Sequence, residues 1–130
     1  MTPVPETAYG HIEIREDSAP TETVAETGAT EMAVREYFKD IAVMVSIARC
    51  ESHFRHTLAD GSVLHGERNF ADTGVMQINA RYHAARARKL GLNLNILGDN
   101  MAYARDLYEK QGTAPWKASA LCWNRTLAQR

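Results

Sequence analysis

Residues 41–54, which read IAVMVSIARCESHF, decide the fold of this chain because a nearly continuous apolar run ends there on polar residues. Upstream, Val34 and Phe38 continue the apolar spacing of three and four residues that is typical of a helix. The pattern predicts one core helix that has Thr30 as its N-cap and is buried almost all round in its second half. Glu51 is then expected at the C-terminal end of a buried helix.

A second carboxylate, Asp72, opens the segment 72–79, which reads DTGVMQIN. Burial and the negative end of the helix dipole both disfavour the ionised form of Glu51, so we expect its pKa to be raised. Asp72 is expected to stay ionised. One protonated and one ionised carboxyl are what the cleavage of a glycosidic bond requires. The plainer interpretation is that Glu51 is exposed to water and that Asp72 binds backbone amides of the turn.

The composition indicates one globular domain with an acidic N-terminal tail. The chain has 130 residues, of which 45% are apolar, enough for one core and too few for two ordinary domains. Residues 1–30 are rich in Pro, Thr, Glu and Ala and carry a net charge of −5, so we expect a disordered tail or linker. Residues 31–130 are expected to form the domain. Their net charge of +4 suits an anionic polymer, and the absence of basic runs interleaved with aromatics disfavours nucleic acid.

The remaining pattern predicts a small β element followed by further helices. Asp60 and Gly61 form a turn signal, and polar and apolar residues alternate over 63–65 and 70–78, which indicates a β hairpin or an ordered loop. Helical patterns follow in three segments, which are 81–90 closed by Gly91, Asp99 to Gly112, and a last one with Pro115 in its first turn. The expected fold class is therefore mainly α, a helical bundle with a small β element inserted after the helix that carries Glu51.

The two cysteines, Cys50 and Cys122, allow a single intramolecular pairing, which we expect to form, as in an exported protein. The alternative is a pair of buried free thiols. No apolar run is long enough to span a bilayer, and residues 1–30 show no export signal.

Residues 47–54 and 72–79 together resemble the lysozyme-like superfamily, and most closely its soluble lytic transglycosylase branch. In that branch a Glu-Ser pair ends a core helix, and a Gly-x-Met-Gln-Ile-Asn motif lines the glycan cleft. Residues 100–108, NMAYARDLY, resemble the third motif of the family, and the similarity covers about 34–123. The ending at 116–124, WKASALCWN, departs from the common Ala-Tyr-Asn-Ala-Gly type. With the two cysteines, it resembles the small secretion-associated transglycosylases.

The resemblance implies a lysozyme-like α+β fold and cleavage of the β-1,4 bond between N-acetylmuramic acid and N-acetylglucosamine in peptidoglycan. Glu51 would be the general acid, and Asp72 the second catalytic carboxylate. Lytic transglycosylation, with a 1,6-anhydro product, is the leading hypothesis. A lysozyme-type hydrolase, in which Asp72 attacks or stabilises the sugar cation, is the alternative. A wall-binding module without turnover and a helical protein-interaction domain are two further hypotheses.

Further residues of the three motifs are implied to contact the glycan. They are Ser52, Thr73, Gly74, Met76, Gln77, Asn79, Asn100, Tyr103 and Tyr108. Plainer roles compete for several of them, because Asn79 suits a turn cap, Gly74 a positive φ, and the tyrosines the core. Trp116 and Trp123 are either sugar-stacking surfaces or core residues.

No cofactor and no metal are expected. The histidines His53, His56, His65 and His83 have loose spacing, and no carboxylate completes a zinc pattern with them. The resemblance implies a monomer in the periplasm, the cell wall or the extracellular space. Its partners would be peptidoglycan strands and a secretion or cell-wall machine.

Overall fold

The computed structural model describes residues 24–128, and within that range the protein is mainly helical with one small antiparallel sheet. This confirms the expected fold class. The helices are α1 (Val24–Tyr37), α2 (Ala42–Ser52), α3 (Ala80–Lys89), α4 (Leu97–Gln111), a 3₁₀ helix (Ala114–Ser119) and α5 (Ala120–Ala128). The strands β1 (Asp72–Thr73) and β2 (Ile78–Asn79) lie between α2 and α3. No helix within this range is both long and apolar enough to cross a membrane.

The prediction of one continuous core helix from Thr30 is wrong, because the chain turns between α1 and α2. Arg105 of α4 donates to the Tyr37 carbonyl at 2.8 Å and to the Asp40 carboxylate at 2.9 Å. These bonds supply a distant donor for a carbonyl group at the end of α1, where no donor within the helix is left. Phe38, the next residue, packs into the core with no exposed surface. The break is therefore fixed by a residue far along the chain.

The first helix also begins earlier than expected. Thr30 is not an N-cap, because its hydroxyl donates to the Glu26 carbonyl one turn back, inside α1. Residues 24–30 are thus helical and not part of a disordered tail. The rest of the expected tail, residues 1–23, lies outside the described residues.

The core takes buried side chains from all the helices and from the hairpin, and α2 and α4 contribute the most. Its largest wholly buried side chains include Phe38, Met44, Ile47, Met76 and Tyr103. A disulfide joins Cys50 at the end of α2 to Cys122 in α5, which confirms the expected pairing. The end of the helix that carries Glu51 is thereby fixed to the C-terminal part of the domain.

The small sheet confirms the predicted β hairpin. Asp72 pairs with Asn79 and Thr73 with Ile78, in antiparallel register, and isolated bridges extend the β region at Thr57–Val63 and His65–Thr73. Asn100, at the start of α4, organises the turn between the strands. Its side-chain oxygen accepts from the Met76 amide at 3.0 Å, and its nitrogen donates to the carbonyls of Thr73 and Leu94 at 2.9 Å.

The remaining helices begin near their expected positions. Helix α3 starts at Ala80, and α4 starts at Leu97, so Asp99 lies in its first turn and does not cap it. Asp99 instead accepts from the Asn93 amide at 2.9 Å. The last predicted helix is a 3₁₀ helix followed by α5, because Trp116 has non-helical dihedrals.

A buried histidine, His56, connects the hairpin to the loop before α4. Its Nδ1 accepts from the Val75 amide at 2.9 Å, and its Nε2 donates to the Asn95 carbonyl at 2.8 Å. An amide nitrogen can only donate, so this geometry requires the neutral ring. Burial lowers the pKa of His56 to about 4.

We expect acid to weaken the fold through His56. An unfolded histidine titrates near pH 6.5, so the contribution of the neutral ring is fully present above about pH 6.5 and falls away toward pH 4. The corresponding loss in the free energy of unfolding is about 3 kcal/mol. Urea unfolding at several pH values checks this, with His56→Gln as the control that lacks the titrating ring. Equal pH slopes for the two proteins would contradict the assignment.

Candidate active site

A cleft of about 330 Å³ lies between the end of α2, the hairpin, α3, the C-terminal part of α4 and the 3₁₀ helix. Of the predicted site residues, Glu51, Asp72, Gln77 and Asn79 line it. The structure therefore brings the two predicted catalytic carboxylates to one cavity. The other lining residues are Ile78, Tyr82, His83, Leu107, Gln111, Pro115, Trp116 and Ala118.

Helix α2 ends at Ser52, one residue after Glu51, in a left-handed turn. His53 and Phe54 both have left-handed dihedrals, with φ of 55° and 61°, and the His53 amide bonds to the Arg49 carbonyl. Phe54 is buried by this turn and has the guanidinium carbons of Arg35 and Arg49 at 5.6 and 5.2 Å from its ring centroid. Glu51 therefore lies in the last turn of α2, where its side chain lines the cleft.

Burial raises the pKa of Glu51, and the negative charge of Asp72 raises it further. A hydrogen bond from the Ser119 hydroxyl to Glu51 Oε2, at 2.7 Å, acts in the opposite direction. Burial is the largest of these effects, so the shift is upward, as the sequence predicted. A raised pKa favours a carboxyl that still holds its proton near neutral pH.

Ser119 is placed to accommodate both charge states of Glu51. Its hydroxyl lies 2.7 Å from Glu51 Oε2 and 3.1 Å from the Trp116 carbonyl, but it has a single proton to donate. When Glu51 is ionised, that proton bonds to the carboxylate. When Glu51 is protonated, the carboxyl donates to Ser119, and Ser119 donates to Trp116. An acid that loses and regains a proton keeps a partner throughout.

Asp72 lies across the cleft on β1, partly exposed, and burial raises its pKa as well. Within the described part of the chain, its carboxylate accepts no hydrogen bond and forms no ion pair. These contacts therefore do not support the plainer interpretation, in which Asp72 binds backbone amides of the turn. Its oxygens are available to a bound molecule.

Gln77 and Asn79 combine a place in the cleft with a structural bond. Gln77 has a φ of 52° and donates from Nε2 to the Gly74 carbonyl at 3.0 Å. Asn79 is the N-cap of α3, because its side-chain oxygen accepts from the Tyr82 amide at 3.2 Å. The capping role considered for Asn79 is confirmed.

Several predicted glycan contacts lie beneath the cleft and do not line it. The prediction that these side chains contact the glycan directly is corrected, because all of them are buried. They are Ser52, Thr73, Met76, Asn100 and Tyr103. Ser52 and Thr73 donate to the carbonyls of Ala48 and Ala71. Tyr108 packs partly buried against the core and also lies outside the lining set. These residues shape the cleft from behind.

Both tryptophans are core residues, as the plainer interpretation held. Trp116 donates from its indole nitrogen to the Met76 carbonyl at 2.9 Å, and Trp123 donates to the Trp116 carbonyl at 3.1 Å. Each is less than a tenth exposed. Trp116 nevertheless borders the cleft and ties the hairpin to the 3₁₀ helix.

His83 is a cleft residue that the sequence analysis did not select as a site residue. Its Nδ1 lies 2.8 Å from the hydroxyl of the buried Tyr103, and burial, followed by the charge of Arg86, lowers its pKa. The lowered pKa favours the neutral ring, and the bond to Tyr103 fixes the ring at the wall of the cleft. A signal was present, because His83 lies four residues after Asn79, one helical turn beyond the N-cap of α3. Ser119 carried no comparable signal.

Gly74 serves packing, and a substitution there is expected to be severe. Its φ is +74°, and a Cβ would lie 2.5 Å from Asn100 Nδ2 and 2.6 Å from His56 Cε1. We expect Gly74→Ala to lower the free energy of unfolding by about 3 kcal/mol, from backbone strain and overpacking. Gly98→Ala is the control, because nothing lies within 4 Å of its Cβ position in α4, and it should stabilise slightly. Urea unfolding measures both, and equal effects would contradict this account.

Within residues 24–128, no three His, Cys, Asp or Glu side chains are grouped so as to hold a metal ion. Comparison with protein-family models, with curated proteins and with solved structures finds no match for this chain. The resemblance drawn from the motifs therefore stays a prediction.

Proposed function

We propose that this chain cleaves the β-1,4 bond between N-acetylmuramic acid and N-acetylglucosamine in peptidoglycan, as a lytic transglycosylase. The observation that carries the proposal is the pair of carboxyls in one cleft, Glu51 with a raised pKa and Asp72 without a hydrogen-bond partner among the described residues. Two such groups on one sugar-sized cavity are suited to an acid and to a stabiliser of positive charge.

In the proposed reaction, the Glu51 carboxyl donates its proton to the glycosidic oxygen as the bond from that oxygen to the muramyl C1 breaks. The departing N-acetylglucosamine leaves with a hydroxyl at C4. The positive charge that develops around the muramyl C1 faces Asp72. The Glu51 carboxylate then takes the proton from the muramyl 6-hydroxyl, whose oxygen bonds to C1. The product is a 1,6-anhydro sugar, and Glu51 is protonated again.

Hydrolysis is the second candidate, and the position of Asp72 favours it as an alternative. A free carboxylate across the cleft from the acid can attack or stabilise the sugar cation, after which water adds to C1 with help from Glu51. The two reactions would use the same two side chains, Glu51 and Asp72. They differ in whether the acceptor is the 6-hydroxyl of the same sugar or a water molecule.

Product analysis separates the candidates. Purified sacculi are incubated with the full chain, and the soluble fragments are analysed by mass spectrometry. Muramyl ends lighter than the reducing sugar by one water molecule support transglycosylation, and intact reducing ends support hydrolysis. Binding to sacculi without release of fragments would contradict both reactions and favour a wall-binding module. Failure to bind would favour the helical protein-interaction hypothesis.

The same proposal includes a location and partners. The disulfide between Cys50 and Cys122 fits an exported protein. We place the chain, as a monomer, in the periplasm, the cell wall or the extracellular space. Its partners are glycan strands and a secretion or cell-wall machine.

A further inference from the structure

A groove of about 370 Å³ lies along α3 and shares no lining residue with the cleft. Its apolar wall is formed by three alanines of the helix and two leucines of the loop that follows. They are Ala80, Ala84, Ala87, Leu92 and Leu94. Ala87 and Leu94 are buried, and the other three are half-buried. This groove, called the α3 groove below, is therefore a concave apolar surface that continues into the core.

Exposed apolar side chains extend the α3 groove at both ends of its loop. Leu90, the C-cap of α3, is 48% exposed, and Ile96, the N-cap of α4, is 53% exposed. The two leucines of the apolar wall, Leu92 and Leu94, lie between them in sequence. Single exposed apolar residues are common, but apolar residues gathered around one groove indicate a surface that a partner covers.

The helix beside the groove is basic. Helix α3 has a charge of +4, from Arg81, Arg86, Arg88 and Lys89, and it contains no acidic residue. Arg86 is already paired with Asp106 of α4. The other three are exposed and form no salt bridge among the described residues. Arg88 lines the groove, and Arg81 lies two turns earlier on the same stripe of the helix.

Residues 1–23, which lie outside the described residues, have the complementary composition. They contain five acidic residues and one basic residue, for a net charge of −4. Three of these acids, Glu13, Glu16 and Asp17, adjoin the two isoleucines of the segment, Ile12 and Ile14. In an extended peptide, side chains two residues apart project to the same side. Such a peptide could place both isoleucines in one apolar groove.

The length of chain between these isoleucines and the domain is sufficient. Nine residues separate Ile14 from Val24, where α1 begins. Ten residue steps span up to about 33 Å, which is close to the diameter of a small domain. A segment tethered in this way acts at an effective concentration in the millimolar range, so a weak contact is enough to fill the groove.

We propose that residues 12–17 bind in the α3 groove of the same chain, with Ile12 and Ile14 against its apolar wall and the neighbouring acids beside Arg88. A second copy of the domain is a poorer occupant. A two-fold contact would place the α3 groove against itself, so its unpaired cations would face like charges. The docked segment leaves the cleft open, because the two cavities have no lining residue in common.

NMR of the full chain with labelled isoleucine and alanine methyl groups tests the docking. We expect nuclear Overhauser contacts between the methyl groups of Ile12 and Ile14 and those of Ala84 and Ala87. The double variant Ile12→Asp with Ile14→Asp should lose these contacts and shift both alanine signals. Because the substituted residues lie outside the described domain, the other methyl signals of the domain report whether it stays folded.

A charge reversal tests the basic edge of the groove. We expect Arg88→Glu to lower the ratio of docked to undocked chains by about fivefold, measured from the intensity of the same contacts. Arg125→Glu changes the charge equally at an exposed position of α5 and is the control that should leave the ratio unchanged. Added salt should weaken docking in the parent, because the charges are exposed.

The other outcomes overturn the proposal. Absence of contacts between the isoleucines and the two alanines would exclude docking. Contacts that arise between chains, in a mixture of differently labelled protein, would identify a second copy as the occupant. Groove signals that change only when anionic phospholipid vesicles are added would identify a membrane surface instead. Equal contact intensities in Arg88→Glu and Arg125→Glu would show that the basic edge does not select the segment. The measurement involves no turnover, so its result is independent of the proposed function.

Discussion

Glu51→Gln is expected to reduce the release of soluble fragments from sacculi by about 10³-fold. Glutamine has nearly the shape of glutamate and can accept from Ser119, but it has no acidic proton for the leaving oxygen. The cleft and the fold should persist, because Glu51 forms no ion pair in the described part of the chain. Fragment release measured over time, at equal protein concentration, gives the ratio.

The control for this substitution is Glu109→Gln, an exposed glutamate of α4 outside the cleft. It removes the same charge from the chain and should leave the rate unchanged. If Glu51→Gln retains more than about a tenth of the parent rate, the assignment of Glu51 as general acid is contradicted.

Removal of the disulfide is expected to have the largest effect on stability. Cys50 and Cys122 are 72 residues apart in sequence, and chain-entropy arguments assign about 4 kcal/mol to a bridge that closes such a loop. The double variant Cys50→Ala with Cys122→Ala should lose about this much free energy of unfolding, measured with urea. The loss should also lower activity near the unfolding temperature, because the bridge fixes Glu51 relative to Ser119.

A reducing agent supplies the matched control for the disulfide. The parent in excess dithiothreitol should fall to the stability of the double variant, whereas the variant should not respond to dithiothreitol. A double variant within about 1 kcal/mol of the oxidised parent would show that the bridge contributes little to stability.

The sequence predicted the elements that depend on local pattern. The apolar run before Glu51 predicted a buried helix end, and the alternation around Gly74 predicted the hairpin. The even cysteine count predicted the bridge. For the helix end and the hairpin, neighbouring residues determine the structure, so periodicity and turn chemistry were enough. The bridge joins distant residues, and it was predictable because two cysteines allow a single intramolecular pairing.

The break between α1 and α2 depends on contacts between distant segments. It could not be predicted because Arg105 of α4 supplies the bonds that end α1. An unbroken apolar stripe is equally compatible with one helix or with two. Long-range bonds of this kind leave no trace in local periodicity.

The cleft was predicted in part, because some of its residues lie in sequence motifs and others are placed by contacts between distant segments. Glu51, Asp72, Gln77 and Asn79 lie in motifs and were identified. Burial of Asn100 and Tyr103 follows from the packing of α4 beneath the hairpin, which motif matching does not represent. Ser119 reaches Glu51 from the 3₁₀ helix, in a stretch where the motif resemblance was weakest.

The central claim is that burial in the cleft raises the pKa of Glu51, and titration of its carboxyl carbon by NMR tests this most directly. The full chain with labelled glutamate is titrated, and Glu51→Gln identifies the resonance. The account predicts a midpoint above about 4.3, the ordinary value for glutamate, which falls in Asp72→Asn and rises in Ser119→Ala. A midpoint at or below about 4.3, unaffected by Asp72→Asn, would contradict it.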